Sequence, residues 1–353
     1  MTSWARYRAC GIKNMKKELR YRITAEDVTE GIDATGLIAI VTGGTSGVGI
    51  ETVRVLALRG AYVFIAARNY DKYLAAKEKI LESNSVAQID YLNVDLANLA
   101  SVRKAASEFL ATKLPLNILV NNAGIMMVPY QLSEDGIEMQ FATNYLGHWL
   151  FTNLLLGKMK RSAESGIQGR IVNVASSFQL TYKGGIRFDS LNEKGGYSPY
   201  YAYGQSKIAN ILHAKELSAQ LEKSGANVTV NSCHPGATFT SLQRALPRYL
   251  TGAVKLFSGI LWKTPAQGAA TQCFLALSPT VNCVSGEYFC NMKVAEPVEI
   301  ASDPDLAKKL WDYTVNLTCT AQTYNPERSI TVTGVSYDLG NLERSQPSSP
   351  AGR

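Results

Sequence analysis

The 353-residue chain has few of the features that mark metal-binding, disulfide-bonded or membrane-spanning proteins. Its three histidines and six cysteines form no C-x-x-C pair and no metal-type spacing, so we predict no metal site and free thiols in a reducing compartment. No apolar run reaches the length of about 18 residues expected of a transmembrane helix, and the N-terminus lacks the apolar core of a secretory signal. A cytoplasmic location is therefore the default expectation.

Charge is sparse along most of the chain and concentrated at one end. Residues 1–22 carry seven basic side chains and one acidic one, so most of the formal net charge of +7 lies there. A basic pI that comes from one arm does not indicate a nucleic-acid enzyme, and we predict no nucleic-acid partner. The predicted arm, residues 1–34, could contact an anionic membrane surface or a partner, or be a solvated extension. At the other end, residues 321–353 are polar and are predicted to form a disordered tail.

Short apolar, β-branched runs alternate with helical patterns through the rest of the chain. The runs predict strands at Leu37–Val41, Tyr62–Ala67, Ile89–Leu96, Asn117–Val120, Arg170–Val174 and Val228–Ser232. Because no linker interrupts the alternation, we predict one α/β domain over residues 35–320, built on a Rossmann-type, doubly wound parallel sheet. Ligands bind such sheets at the carboxyl ends of the strands, which is where the polar motifs of this chain occur.

A glycine-rich turn directly follows the first predicted strand. It reads T-G-G-T-S-G-V-G over Thr42–Gly49, and a helical pattern then runs to Gly60. Glycines let the backbone approach a pyrophosphate closely, and the start of a helix offers free N–H groups to it. A tight turn without a ligand is the alternative. We predict a dinucleotide site that includes Gly43, Thr45, Ser46, Gly47, Val48 and Gly49.

The second predicted strand ends at Ala67 and is followed by Arg68 rather than by a carboxylate. A carboxylate there would bind the 2′-hydroxyl of the adenosine ribose, whereas a guanidinium pairs with a 2′-phosphate. The sequence therefore predicts NADP(H) over NAD(H), against the alternative that Arg68 is a solvated loop residue. Asp95 and Leu96, at the end of the third predicted strand, are predicted to contact the adenine edge.

Tyr203 and Lys207 stand four residues apart in a helical stretch. This spacing places their side chains on one face of the helix, with Cβ atoms roughly 5–6 Å apart. A nearby cation lowers the pKa of a phenol, which would make Tyr203 a proton donor or acceptor near neutral pH. Ser176 is the candidate partner on the substrate oxygen, and Ser177 is its competitor.

These motifs occur in the order typical of the short-chain dehydrogenase/reductase family, which the chain resembles over about residues 35–320. The resemblance also rests on N-N-A-G at Asn121–Gly124, on Asn144 in the next helix and on P-G at Pro235–Gly236. Within the family the chain is most similar to the retinol-dehydrogenase-like branch. That branch includes plant members associated with the protein translocon of the chloroplast inner envelope, which makes the envelope the alternative location.

The resemblance implies a role for each motif. Tyr203 would exchange a proton with the substrate oxygen, and Ser176 would hydrogen-bond that oxygen. Lys207 would bind the nicotinamide ribose and lower the pKa of the phenol, while Asn144 would hold a water that links Lys207 to solvent. Further cofactor contacts are implied for Asn122, Ala123, Gly124, Pro235, Gly236 and Thr240.

The substrate is the least defined part of the sequence. Residues 242–263 are apolar and partly helical, and the resemblance implies that they close over the substrate. We therefore expect a lipophilic carbonyl compound or alcohol of the retinoid, steroid, terpenoid or aldehyde class. Shallow membrane contact and ordinary core packing are the alternatives for this segment. A redox-sensing protein that binds NADPH with little turnover, and an isomerase that uses the same Tyr, remain rival functions. A homodimer is compatible with the family.

Overall fold

A computed structural model of the protein describes residues 23–182, 184–236 and 263–320, without the side chains of Thr181 and Thr320. Most of the predicted basic arm, the predicted tail, Thr240 and the segment 242–262 lie outside these residues. The predicted domain boundaries therefore stay predictions.

The described residues form eight strands in a single sheet. They are β1 (Ile38–Thr42), β2 (Tyr62–Ala67), β3 (Ile89–Asn93), β4 (Ile118–Asn121), β5 (Gly169–Val174), β6 (Val228–His234), β7 (Tyr288–Cys290) and β8 (Lys293–Val294). Their order across the sheet is β3-β2-β1-β4-β5-β6-β7-β8. Every neighbouring pair is parallel except β7 and β8, which are antiparallel. The predicted Rossmann-type sheet is confirmed, and the six predicted strands are present with ends shifted by up to three residues.

Helices cover both faces of the sheet. They are α1 (Gly47–Leu58), α2 (Tyr70–Ser83), α3 (Leu99–Ala111), α4 (Gly147–Ala163), α5 (Pro199–Lys223), α6 (Pro265–Leu277) and α7 (Pro304–Thr320). A single α-helical turn, Met139–Phe141, and a π-helical segment, Ala142–Leu146, run directly into α4.

Alternate residues of each strand pack into two separate hydrophobic layers. In β1, Ile38 and Ile40 face the layer that α3, α4, α5 and α7 cover. Ala39 and Val41 face the layer under α1, α2 and α6. Because successive side chains of a strand point to opposite faces, a strand that is apolar along its whole length is buried on both sides. This double cover leaves the carboxyl ends of the strands as the accessible edge of the sheet.

Residues 23–34, which the sequence assigned to the basic arm, pack on the domain. The Ala25 N–H donates to the Ala266 carbonyl at 2.9 Å, and the side chains of Ala25 and Ala34 are fully buried. Within the described ranges, no helix has the length and apolar character needed to cross a bilayer. The same ranges contain no group of three His, Cys, Asp or Glu side chains placed to hold a metal.

Candidate active site

A cavity of about 630 Å³ opens along the carboxyl ends of the strands. It runs from the glycine loop and Arg68 at one end to Ser176 and Tyr203 at the other. Seventeen of the predicted site residues line it, namely Gly43, Thr45, Ser46, Gly47, Val48, Gly49, Arg68, Asp95, Leu96, Asn122, Ala123, Gly124, Ser176, Tyr203, Lys207, Pro235 and Gly236. Asn144 lies behind the wall, and Thr240 falls outside the described residues.

The glycine loop is packed so tightly that side chains are excluded from two of its positions. Gly43 has a φ of +67°, and a Cβ there would lie 2.9 Å from the Cα of Ala123. A Cβ on Gly49 would lie 2.3 Å from the Gly43 carbonyl oxygen and 2.5 Å from Nδ2 of Asn122. The loop can therefore lie directly against the turn after β4, and the first turn of α1 opens into the cavity. This is the geometry that a pyrophosphate requires.

Arg68 lies at the same end of the cavity as the glycine loop, in a loose ion pair. Its Nη1 lies 3.5 Å from Oδ2 of Asp95, and the Arg68 side chain is 66% exposed. An exposed pair of this kind is worth about 0–1 kcal/mol, so the guanidinium can turn toward a ligand phosphate at little cost. Asn69 and Lys72 line the same end, and the sequence analysis did not select them. Asn69 directly follows Arg68 and caps α2, and Lys72 lies in the first turn of that helix; this closeness to Arg68 is the signal that could have found them.

Tyr203, Lys207 and Ser176 meet at the other end. Tyr203 and Lys207 lie on one face of α5 and are 6% and 3% exposed, with the Lys207 Nζ 5.6 Å from the centre of the phenol ring. Ser176 follows β5, and its hydroxyl is close enough to Tyr203 to lower the pKa of the phenol. Ser177 instead donates its N–H to Nδ1 of His234 at 3.1 Å. The geometry therefore favours Ser176 over Ser177 as the partner of the phenol.

The pKa of Tyr203 does not follow the sequence expectation. Burial raises it to about 12, and the hydrogen bond from Ser176 opposes that rise. Lys207 makes no contribution to this shift in pKa: its Nζ lies 5.6 Å from the centre of the phenol ring and donates to the Val174 carbonyl at 3.0 Å. The expected shift toward neutrality is thus wrong for this arrangement, and Tyr203 is a neutral phenol at physiological pH.

Burial also depresses the pKa of Lys207, to about 8 from its ordinary 10.5. Between about pH 8 and pH 10.5, Lys207 is protonated in the unfolded chain and increasingly neutral in the folded one. The free energy of unfolding therefore increases with pH over this interval because of this residue. We expect the unfolding free energy of the wild type to gain up to about 1.4 kcal/mol per pH unit relative to Lys207→Met over this interval. Urea unfolding of both proteins at pH 8 and pH 10 measures it. Parallel pH dependences would contradict the assignment.

Asn144 supports the wall of the cavity rather than lining it. Its side chain lies in the π-helical segment, where Nδ2 donates to the Ile125 carbonyl and to Oγ of Ser206, each at 2.9 Å. Its Oδ1 accepts the Ile125 N–H at 2.8 Å. Both amide hydrogens are thus committed to the protein, and only Oδ1 has a lone pair left. Any water held by this side chain would have to bind there, on the side that faces Gly124 and Lys207.

The cavity also has apolar walls that the sequence analysis did not identify. Ile125, Met126, Met127, Val128 and Phe178 line it. Met127 has a φ of +52°, which is strained for a side-chain-bearing residue, and its N–H donates to Oε1 of Gln140 at 2.8 Å. Strain of this kind is held only where the surroundings enforce it, often at functional sites. A local sequence pattern could not predict the strained backbone of Met127, because Gln140, which holds it, lies 13 residues further along the chain.

Comparisons with known proteins agree with this geometry. The profile of the family described as "short chain dehydrogenase" matches residues 37–249. The chain is 53% identical over 296 residues to the Brassica napus "Short-chain dehydrogenase TIC 32 B, chloroplastic", covering 83% of this chain and 92% of that protein. It is 41% identical over 292 residues to human "Retinol dehydrogenase 14", covering 78% and 84%. The solved "Pseudomonas aeruginosa RhlG/NADP active-site complex" superposes with a TM-score of 0.57 at 25% identity, covering 73% of this chain and 95% of that one.

Proposed function

Because this chain belongs to the short chain dehydrogenase family, we propose that it uses NADP(H) to interconvert a lipophilic alcohol and its carbonyl compound, with Tyr203 as the acid/base. The resemblance to the retinol-dehydrogenase-like branch and to the chloroplast translocon-associated plant members is confirmed. The observation that carries the proposal is the placement of Tyr203, Ser176 and Lys207 at one end of a cavity whose other end is a glycine loop.

The residues present fit a nicotinamide dinucleotide. The closely packed glycine loop and the accessible first turn of α1 suit a pyrophosphate. The exposed guanidinium of Arg68 suits a 2′-phosphate on the adenosine ribose. When bound, the nicotinamide would supply or accept the hydride. One solved relative, the Pseudomonas aeruginosa protein at 25% identity, is a complex with NADP, which supports the choice of the phosphorylated cofactor.

Proton transfer falls to the protein's own side chains. Tyr203 is protonated at neutral pH and can donate to an oxygen that gains negative charge. The Ser176 hydroxyl, which is close to the same phenol, can hydrogen-bond that oxygen. Lys207, whose Nζ lies 5.6 Å from the centre of the phenol ring, would bind the nicotinamide ribose. The geometry therefore suits carbonyl reduction, and the reverse sequence of proton movements suits alcohol oxidation.

The substrate class follows from the chemistry of the cavity walls. Met126, Met127, Val128 and Phe178 offer apolar, adaptable surface in the cavity that holds the Tyr203 phenol. One relative at 41% identity is named for retinol, a lipophilic alcohol. We therefore place the apolar body of the substrate along this wall and its oxygen between Tyr203 and Ser176.

The test is the oxidation of NADPH by the purified protein with a panel of lipophilic aldehydes and ketones. We expect turnover that increases with the apolar length of the carbonyl compound and that exceeds turnover with short polar carbonyls. Tight NADPH binding without turnover on any member of the panel would favour the redox-sensing alternative. Absence of NADPH binding would overturn the proposal.

Arg68 provides a prediction on cofactor choice. Arg68→Ala is expected to weaken NADPH binding by about 10–100-fold, because a charge-assisted pair with the 2′-phosphate contributes about 1.5–3 kcal/mol. The KM for NADH should hardly change, since NADH lacks this phosphate. Michaelis constants for both cofactors measure the effect, with Lys79→Ala as the control because Lys79 is exposed on α2 away from the cavity. Equal losses for NADPH and NADH would contradict this role.

The plant relative also bears on location. Because a plant protein 53% identical to this chain is described as chloroplastic, we propose the chloroplast rather than the cytoplasm. The basic residues 1–22 and the apolar segment 242–263 would provide peripheral contact with the envelope. A fluorescent fusion of the full chain, with and without residues 1–22, tests both ideas. Cytosolic fluorescence from the full chain would overturn the location.

A further inference from the structure

His148 is a buried imidazole with both ring nitrogens engaged. It lies at the start of α4, is 2% exposed, and links two elements that are far apart in the sequence. Its Nδ1 lies 2.9 Å from the backbone carbonyl oxygen of Asn144, and its Nε2 lies 2.8 Å from Oγ1 of Thr42. The proposed reaction uses neither nitrogen.

The two partners determine which nitrogen carries the hydrogen. A carbonyl oxygen can only accept, so Nδ1 of His148 must be the donor to Asn144. Nε2 is then an acceptor, and the Thr42 hydroxyl must donate to it. Burial, the main cause, lowers the pKa of His148 to about 4, so the ring keeps this neutral form at physiological pH. The ring is thus a polar bridge of fixed direction, running from Thr42 to Asn144.

The Thr42 hydroxyl is saturated by this arrangement. Its oxygen accepts the N–H groups of Asn122 and Ala123, both at 2.9 Å, and its own hydrogen goes to His148 at 2.8 Å. The competing acceptor, the Val120 carbonyl, is farther away at 3.4 Å. Thr42 also accepts Nδ2 of Asn122 on its carbonyl oxygen at 2.8 Å. The hydroxyl therefore fixes the turn after β4 against the glycine loop, which is the floor of the proposed cofactor site.

The other end of the bridge belongs to the proton-handling region. Asn144 holds both backbone groups of Ile125 on the cavity wall and the hydroxyl of Ser206 beside Lys207. Its carbonyl lies in the π-helical segment, where the Gly147 N–H bonds to the Ala142 carbonyl five residues back instead of four. Nδ1 of His148, one turn further on, donates to the Asn144 carbonyl and so fixes its position in this wider helical turn.

We propose that His148 is a positioning residue that couples the cofactor-binding floor at Thr42 to the proton-handling side chain Asn144. The expected effect on proton transfer rests on the proposed function, whereas the expected effect on cofactor affinity requires only that NADPH binds. A displaced imidazole would release the Thr42 hydroxyl and the Asn144 carbonyl together, so that cofactor affinity and proton transfer would weaken in parallel.

The test compares two replacements that separate shape from hydrogen bonding. His148→Phe keeps the ring but removes both bonds, whereas His148→Gln loses the ring but offers an amide oxygen to Thr42. We expect His148→Phe to weaken NADPH binding by about tenfold, because buried polar partners are left unpaired, and His148→Gln to recover most of that loss. A role in packing alone predicts the opposite order, with Phe better tolerated than Gln. NADPH fluorescence titration measures the dissociation constants.

A double-mutant cycle with Thr42→Val tests the coupling. We expect the loss of NADPH affinity in the double variant, Thr42→Val with His148→Phe, to be smaller than the sum of the two single losses, because both substitutions remove the bond between Thr42 and His148. In turnover assays kcat should follow the order wild type, Gln, Phe, with the KM for the carbonyl compound unchanged. If no carbonyl compound is turned over, the proposed function fails, but the cofactor affinities still decide the role of His148.

His213→Phe is the matched control. His213 is also 2% exposed, but its Nδ1 has one contact with Nδ2 of Asn173 at 3.2 Å, and its Nε2 has no hydrogen-bond partner in the described part of the chain. We expect its NADPH affinity to stay within about twofold of wild type, since it holds no part of the cofactor floor. Three outcomes would each overturn the proposal. NADPH affinity could be equal in His148→Phe and His213→Phe, it could be higher in His148→Phe than in His148→Gln, or the losses of affinity in the double-mutant cycle could be additive.

Discussion

Tyr203→Phe should lower kcat by about 10²–10⁴-fold, the range that general acid–base catalysis supplies, while NADPH still binds. The substitution removes one oxygen from a side chain that is 6% exposed. It leaves the ring packed against Phe178, with the two ring centres 5.5 Å apart. The Tyr203 hydroxyl, which is close to Ser176, is the proposed proton donor, so the substitution removes that donor and keeps the packing. Steady-state turnover with NADPH and a lipophilic aldehyde, together with a fluorescence titration of NADPH, separates the two effects.

Tyr201→Phe is the control for Tyr203→Phe. Tyr201 lies on the same helix two positions earlier, but its side chain is 47% exposed. It has no Lys four residues on, so we expect near-normal turnover from this variant. Near-normal turnover from Tyr203→Phe would remove Tyr203 from the acid/base role. A parallel loss of NADPH binding in Tyr203→Phe would mean that the substitution had disturbed the structure of the site, and not only removed the hydroxyl that donates the proton.

Gly49→Ala is expected to abolish measurable NADPH affinity at concentrations that saturate the wild type. The added Cβ would lie 2.3 Å from the Gly43 carbonyl oxygen, which is a backbone atom and cannot rotate away. It would also lie 2.5 Å from Nδ2 of Asn122. Either the glycine loop or the turn after β4 must move, and overpacking of this kind costs about 1–3 kcal/mol of stability. The cofactor floor depends on that close approach, so binding should fail even where the fold survives.

Gly157→Ala is the control for this substitution. Gly157 lies inside α4, and an added Cβ would have its nearest heavy atom, Nη1 of Arg161, at 3.5 Å. An unhindered Gly→Ala change in a helix interior stabilises by about 0.5–1 kcal/mol, so its melting temperature should rise and its NADPH affinity should not change. Thermal unfolding and NADPH titration of both variants give the comparison. Wild-type NADPH affinity in Gly49→Ala would contradict the proposed floor.

Local patterns were enough to predict the sheet and most of the cavity wall. The alternation of apolar runs with helical stretches predicted six strands, and their carboxyl ends brought the glycine loop, Arg68, Ser176 and Tyr203 to one edge. The strands β7 and β8 were missed because they contain three and two residues, too few for a periodic pattern. The third strand was predicted too long, since it ends at Asn93 rather than Leu96.

The features that sequence patterns could not predict depend on burial and on partners distant in the chain. The raised pKa of Tyr203 reflects how deeply α5 is buried, which the spacing of Tyr203 and Lys207 cannot reveal. The pair between His148 and Thr42 joins residues 106 positions apart. The anchoring of Ile125 by Asn144 depends on a π-helical turn that has no sequence signature of its own. Each of these needs the packed structure, whereas a motif needs only neighbours along the chain.

The packing of α7 gives the protein an optical reporter of its own. Trp311 of α7 contacts Trp149 of α4 with ring centres 5.1 Å apart, and both indoles are buried. Also on α7, Oγ1 of Thr314 lies 2.7 Å from the hydroxyl of Tyr145, which follows Asn144 in the π-helical segment before α4. Of the four tryptophans in the chain, the other two, Trp4 and Trp262, lie outside the described residues. Replacing those two by Phe would leave an emission signal that reports on the contact between α7 and α4.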